Sequence, residues 1–303
     1  MTDNTNTQVI PDIDPPVSNP SKPRHQLPNG SCDSHAHIFG PASTYPYAPG
    51  RSYTPHDASL EDYSRLLKHL GFQRAVMVQP SVYGTDNRLM CDALKRAQSG
   101  DNLGIEWRGI AVLDEDVSDS TLAEMNSIGV RGIRLNLLFS GADVGFEQVR
   151  RIADRIAPLG WHLQFLIDIT TFDNFAARLS ELPVESVIDH IGHFPAHLGP
   201  DTPQFKDLKS LLKEGKSWVK LSGPNRISSQ DSAPYDDAHR LAQNLVESSP
   251  DRLVFGTDWP HVKLPGTMPD DGELVDEFYR WIGDDQSLAE RILVQNPRLL
   301  YGF

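Results

Sequence analysis

Two cysteines, Cys32 and Cys91, are all the thiols among 303 residues. That excludes a disulfide framework, and neither lies in a Cys-x-x-Cys pattern of the kind that serves redox or zinc sites. Cys32 reads as small-core packing. Long apolar runs are also missing: nothing approaches the ~18 consecutive apolar residues of a membrane span. The first thirty residues, MTDNTNTQVIPDIDPPVSNPSKPRHQLPNG, hold neither an apolar segment nor an early basic cluster. They do not read as a signal peptide, so the expected location is cytoplasmic. Positive charge is in deficit, with 28 Lys+Arg against 41 Asp+Glu and a net charge of -13. A field of that sign repels polyanions, which argues against nucleic acid or a membrane surface as partner. The expected partner is a small molecule, and homo-oligomer formation is left open. No Gly/Ser or Pro-rich linker interrupts the chain after its start, which argues against division into several domains.

What is present is a regular alternation. Residues 1–27, rich in Asn, Asp, Pro and Thr, read as a flexible N-terminal arm. From there, residues 28–303 read as one domain in which short apolar runs alternate with amphipathic segments. Strands are predicted at Cys32–Phe39, Arg74–Gln79, Trp107–Leu113, Gly132–Leu138, Trp161–Ile167, Ser186–His190, Trp218–Leu221 and Arg252–Gly256. Helical patterns fall between them, one opening at Ser59 and Asp62 in the manner of a capping box. Eight such units fit a (β/α)8 TIM barrel better than an open doubly wound sheet, which typically has about five or six strands. The Pro- and Tyr-rich stretch 40–58 then becomes a loop on the catalytic face.

Ionisable residues gather at the C-terminal ends of these strands, where barrels build their sites. His35 and His37 end the first, and in an extended segment residues two apart share a face. His190 closes the sixth, in Asp-His-Ile-Gly-His, and Asp258 follows the eighth, in Gly-Thr-Asp-Trp-Pro-His. Each motif alone is weak. Barrel closure would bring His35, His37, His190 and Asp258 together, and that set suits a divalent metal or general acid–base chemistry.

These motifs, with Ser-Lys-Pro-Arg at 21–24, His-Ala-His-Ile-Phe-Gly-Pro at 35–41, Gln-Pro-Ser-x-x-Gly-Thr-Asp at 79–86 and Arg-Gly-Ile-Arg at 131–134, resemble the amidohydrolase superfamily. The likeness is strongest to its branch of lactonases acting on 2-pyrone-4,6-dicarboxylate and 4-sulfomuconolactone, with related sugar-lactone enzymes. It implies a distorted amidohydrolase-type barrel acting in aromatic-compound degradation. Asp258 would activate water against a ring ester. His35, His37 and His190 would polarise the carbonyl, either directly or by holding zinc together with Asp258. The resemblance leaves both a zinc-dependent and a metal-independent reaction open.

The same likeness places Arg131, Arg134 and Arg226 where relatives bind substrate carboxylates, a task suited to the forked guanidinium. A spacing of three puts Arg131 and Arg134 on opposite sides of a regular strand. Ser81, Tyr53, His193 and His261 are further expected substrate contacts, and Lys220 is an inward lysine of potential importance. Two positions depart from the pyrone lactonase pattern: His193 stands for an arginine and Leu166 for a tyrosine. The favoured reading is hydrolysis of a carboxylated or sulfonated lactone. A metal-dependent decarboxylase or a sugar-lactone isomerase on the same scaffold is the alternative, and a non-enzymatic acid-binding barrel is the remote one.

Overall fold

Eight short strands, five of them buried along their whole length, run parallel in the order β1 to β8, as expected when a sheet is covered on both faces. They are β1 (Cys32–Ala36), β2 (Arg74–Val78), β3 (Glu106–Ala111), β4 (Val130–Asn136), β5 (His162–Leu166), β6 (Ser186–Ile188), β7 (Ser217–Leu221) and β8 (Leu253–Phe255). The computed structural model describes residues 10–138, 145–264 and 266–303. The outer layer consists of α1 (Leu60–Leu70), α2 (Arg88–Gln98), α3 (Asp119–Ser127), α4 (Phe146–Ile156), α5 (Phe175–Ser180) and α6 (Pro203–Lys213). It continues with α7 (Pro224–Ile227), α8 (Asp236–Ser248), α9 (Asp271–Trp281), α10 (Gln286–Glu290) and α11 (Asn296–Tyr301). Among the described residues no helix is long and apolar enough to cross a membrane.

Helix starts follow local chemistry. Ser59 caps α1 by accepting from the Asp62 amide, and its own amide donates back to the Asp62 carboxylate, the reciprocal pair expected from sequence. Asp270 accepts from the Gly272 and Glu273 amides at the start of α9. The apolar stripes of these helices pack on the outside of the barrel in one continuous core.

The barrel interior is layered by strand alternation. Its lower layer is apolar, formed by Cys32, Val76, Val78, Ile110, Val187, Trp218 and Val254, with Leu300 and Tyr301 of α11 packed against it. One position further along β5 and β7 the inward residues turn polar, at Gln164 and Lys220. β1 changes parity on the way up. Ser34 Oγ lies 3.7 Å from Cys32 Sγ, so residues 32 and 34 share the interior face, yet Ala36 belongs to the outer core. A register shift between Asp33 and Ala36 turns His35 and His37 inward instead.

Beyond β8 the chain closes the ring against β1. Asp258 donates its amide to the His35 carbonyl (2.8 Å), and His37 donates to the Trp259 carbonyl (2.8 Å). Asp33 accepts from the Thr257 amide (2.9 Å) and hydroxyl (2.6 Å). Gly256 fits the seam because a Cβ there would stand 2.8 Å from the His35 amide nitrogen. Residues 11–27, read from sequence as an arm, run along the outside of this barrel, and Leu27 is buried.

Candidate active site

The seam and the bulge set four side chains against one another. Asp258 Oδ1 lies 3.7 Å from His35 Nε2 and 3.8 Å from His190 Nε2. The His35 ring centroid is 5.1 Å from that of His37 and 4.7 Å from that of His190. Left-handed backbone at His190 (φ 50°), His193 (φ 47°) and Asp258 (φ 69°) turns these side chains toward the mouth. Such conformations are unfavourable for residues with a Cβ and persist where the surrounding structure imposes them. His190, Asp258, Arg134, Arg226, Ser81 and Tyr53 line one pocket of about 480 Å³, its open mouth included, with His37, His193, Asn136 and Leu166.

Each imidazole is oriented from behind. His37 Nδ1 is 2.7 Å from the Val78 carbonyl, which only accepts, so the ring proton sits on Nδ1 and Nε2 keeps its lone pair. His190 Nδ1 meets Ser222 Oγ at 2.9 Å. His35 Nδ1 faces Lys220 Nζ at 3.2 Å and Asp189 Oδ1 at 3.3 Å. Burial lowers the pKa of all three rings, with Lys220 adding to the effect on His35 and His35 adding to that on His37. His35 falls to about 4, and all three are neutral near pH 7. Burial by itself would raise the Asp258 carboxyl. Arg226, whose Nε donates to Oδ2 at 2.6 Å, is the strongest opposing influence, and together with the facing imidazoles it overcomes burial and holds Asp258 ionised.

Beneath this group Asp189 forms a hub. Arg134 Nε and Gln164 Nε2 donate to its Oδ2 at 3.1 and 3.0 Å, and Lys220 Nζ stands 3.5 Å from Oδ1. Lys220 also donates to the Ser34 carbonyl (2.9 Å) and Gln164 Oε1 (2.8 Å), and burial lowers its pKa to about 8. Sequence reasoning gave Asp189, Gln164 and Ser222 no role. Continuing the inward alternation along β5 (162, 164, 166) and β7 (218, 220, 222) would have found the last two, and Asp189 immediately precedes His190.

Two expected substrate contacts lie elsewhere. Arg131 lies at the start of β4, the end of the barrel away from the pocket, where it donates to the Asn126 (3.0 Å) and Val130 (2.7 Å) carbonyls and sits beside Gly302. Position along the strand explains this: Arg134 and Asn136 lie toward the C-terminal end of β4, where the pocket opens, and Arg131 lies at the other end. His261 is fully buried, pairs with Asp271 at the start of α9 (2.9 Å) and is not among the pocket-lining residues. It is three residues past Asp258, but the chain there has already turned outward.

His35, His37 and Asp258 present donor atoms within 4.8 Å of one another, as do His35, Asp189 and His190. The first set fits a divalent ion better. His35 Nε2 is buried without a hydrogen-bond partner, and His37 Nε2 carries a free lone pair, as a metal ligand requires. In the second set the Lys220 ammonium already stands beside Asp189 Oδ1 and His35 Nδ1.

A parallel barrel with a buried histidine–aspartate group at the C-terminal ends of its strands defines a class: a (β/α)8-barrel enzyme. The chain belongs to the amidohydrolase family, whose model, described as Amidohydrolase, matches residues 32–303. It is 38% identical over 293 residues to a 2-pyrone-4,6-dicarboxylate hydrolase of Comamonas testosteroni, covering 94% of each chain. It is 35% identical to a 4-sulfomuconolactone hydrolase of Hydrogenophaga intermedia, covering 92% of this chain and 91% of the other. Among solved structures it resembles an Acinetobacter baumannii protein described as a candidate 2-pyrone-4,6-dicarboxylic acid hydrolase, with citric acid bound. The TM-score is 0.77 and the identity 25%, over 90% of this chain and all of the other.

Proposed function

We propose that this chain hydrolyses the ring ester of a small lactone carrying carboxylate or sulfonate groups. The observation that carries the reading is Asp258, ionised and facing His35 and His190, with Arg226 and Arg134 lining the same pocket. The two hydrolase relatives named above act on lactones of this kind, and citrate in the Acinetobacter structure is a polycarboxylate.

In the proposed mechanism Asp258 accepts a proton from water as its oxygen attacks the ring carbonyl carbon. The carbonyl π electrons move onto oxygen, where Nε2–H groups of His35 and His190 stabilise the developing charge. His37 cannot donate from Nε2 while its proton is held by Val78, so its role is to accept from the water. Collapse of the tetrahedral centre breaks the ring C–O bond, and Asp258 returns the proton to the leaving oxygen. The new carboxylic acid then releases one proton to solvent. In the alternative form a divalent ion such as zinc would be held by His35, His37 and Asp258, His35 Nε2 then being a ligand in place of a donor, and would act as a Lewis acid on the carbonyl. Arg226, Arg134, Ser81, Tyr53 and His193 would bind the substrate's anionic groups. Arg226 is shared with Asp258, so a substrate carboxylate that draws it away makes Asp258 a stronger base. With His193 and Leu166 replacing an arginine and a tyrosine of the resembled pattern, a second carboxylate has fewer donors. We therefore assign the substrate class and no single lactone.

Proton release measured with 2-pyrone-4,6-dicarboxylate, 4-sulfomuconolactone and an uncharged lactone tests the reading. Ring opening is expected with at least about a hundredfold preference in kcat/KM for a charged lactone, as two charge-assisted pairs would give. Carbon dioxide release, or a rearranged lactone with no new acid, would transfer the reaction to the decarboxylase or isomerase reading. Repeating the assay after chelation, with metal content measured, tells whether the imidazoles polarise the carbonyl unaided.

A further inference from the structure

Thr54 is held on three sides. Its amide donates to the Pro11 carbonyl (2.8 Å), its carbonyl accepts from the Ile13 amide (2.9 Å), and its hydroxyl accepts from Arg51 Nε (3.1 Å). Asp12 thus forms a one-residue parallel bridge with Thr54, and Ile13 packs against the outer core. The neighbouring residue in the loop is Tyr53, 4% exposed, which lines the pocket together with Ser81. Residues 11–13 therefore grip the backbone immediately beside a pocket-wall side chain.

The grip is tethered at a second point. The Ser21 amide donates to both Asp270 oxygens (3.0 and 2.8 Å), Arg24 pairs with Asp276 (2.9 Å), and the His25 ring stacks on Tyr279 at 4.2 Å. The Ser21 carbonyl passes so close to Gly272 that a Cβ there would approach within 2.1 Å. Between the two attachments lie Pro15, Pro16 and Pro20. Fixed φ angles keep such a span extended and reduce the entropy lost on docking it.

We propose that residues 11–13 are a strap that positions Tyr53 for substrate through the backbone of Thr54. The strap touches no reacting atom, so its effect belongs to substrate binding more than to the chemical step. The kinetic part of the test rests on the lactonase reading, and the exchange part does not.

Three variants separate the roles: deletion of residues 1–9, deletion of residues 1–14, and Ile13→Pro, which removes one amide donor and leaves the strap in place. Hydrogen exchange in the 47–57 segment should rise about tenfold in the last two and stay at the full-length value in the first, as expected for loss of one or two hydrogen bonds. With 2-pyrone-4,6-dicarboxylate as substrate, KM should rise about tenfold with kcat within about twofold. In a Tyr53→Phe background the same deletion should change KM much less, because the group being positioned is gone. Unchanged exchange in both strap variants would overturn the proposal. So would a fall in kcat at constant KM, or an equal KM effect with and without the Tyr53 hydroxyl. If no lactone is turned over, the exchange result alone decides it, and the failure is that of the lactonase reading.

Discussion

Asp258 combines a left-handed backbone, an ion pair with Arg226 and two facing imidazoles. Asparagine tolerates that backbone and matches the carboxylate in shape, but it cannot take a proton from water. Asp258→Asn is expected to lower kcat at least about a hundredfold, the lower range for loss of a general base. KM for a carboxylated lactone should stay level or fall, because Arg226 no longer has a carboxylate to hold. Steady-state kinetics with a thermal melt check both points, and turnover within tenfold of wild type would remove Asp258 from the proposed mechanism. At this scale the sequence showed which residue types were present, and position along the strand sorted them. Arg131 and Arg134 are both arginines in one motif, but only Arg134 lies at the pocket end, where Asp189 holds it.

The decisive elements are β1 and the turn after β8. A regular β1 with Cys32 inward would direct His35 and His37 toward the helices, and the register shift reverses that. The seam then depends on Gly256, where added volume meets the Cβ and amide nitrogen of His35 instead of the far end of a flexible side chain. Gly256→Ala should cost about 1–3 kcal/mol of stability, as overpacking does. It should also lower kcat at least tenfold by displacing His35 from Asp258, since misplacement of about 1 Å can cost about a hundredfold. Gly132→Ala is the control. Its Cβ would meet the His162 carbonyl oxygen at 2.6 Å, so stability should fall in the same way while the seam is spared. Melting temperature and kcat, measured for both variants, separate a site effect from a general one; equal kcat losses would contradict the role given to the seam. The eight strands were legible because each is a short apolar run bounded by turn residues. The bulge was not, because it depends on pairing with β2.

For the whole molecule, buried titratable groups set the acid limit. Burial lowers His162 from its ordinary 6.5 to about 3, and burial with Arg226 lowers His193 to about 4. Folded-state values below the unfolded ones mean stability that is fully present above about pH 6.5 and is lost as pH falls toward 4 and 3. Asp33, raised by burial from 3.8 to about 6, works in the opposite direction: its contribution is present at low pH and is lost as pH rises through 6. With His35, His37 and His190 lowered as well, the histidine shifts outweigh the one raised aspartate and give a net loss in acid. Thermal melts should therefore drop by several degrees between pH 6.5 and 4.5, and a flat profile would show that these rings are not buried neutral in solution. By itself the sequence determined the eight-unit alternation, the helix caps, the scarcity of thiols and the grouping of histidines and Asp258 after strands, all of them local patterns of side-chain chemistry along the chain. Tertiary structure alone decided which polar residues face the interior, that Asp189 ties Arg134, Gln164, Lys220 and His35 together, and that residues 11–13 meet Thr54. Those outcomes arise from pairing and closure between segments tens to hundreds of residues apart, where a single shift in register changes which face a side chain occupies.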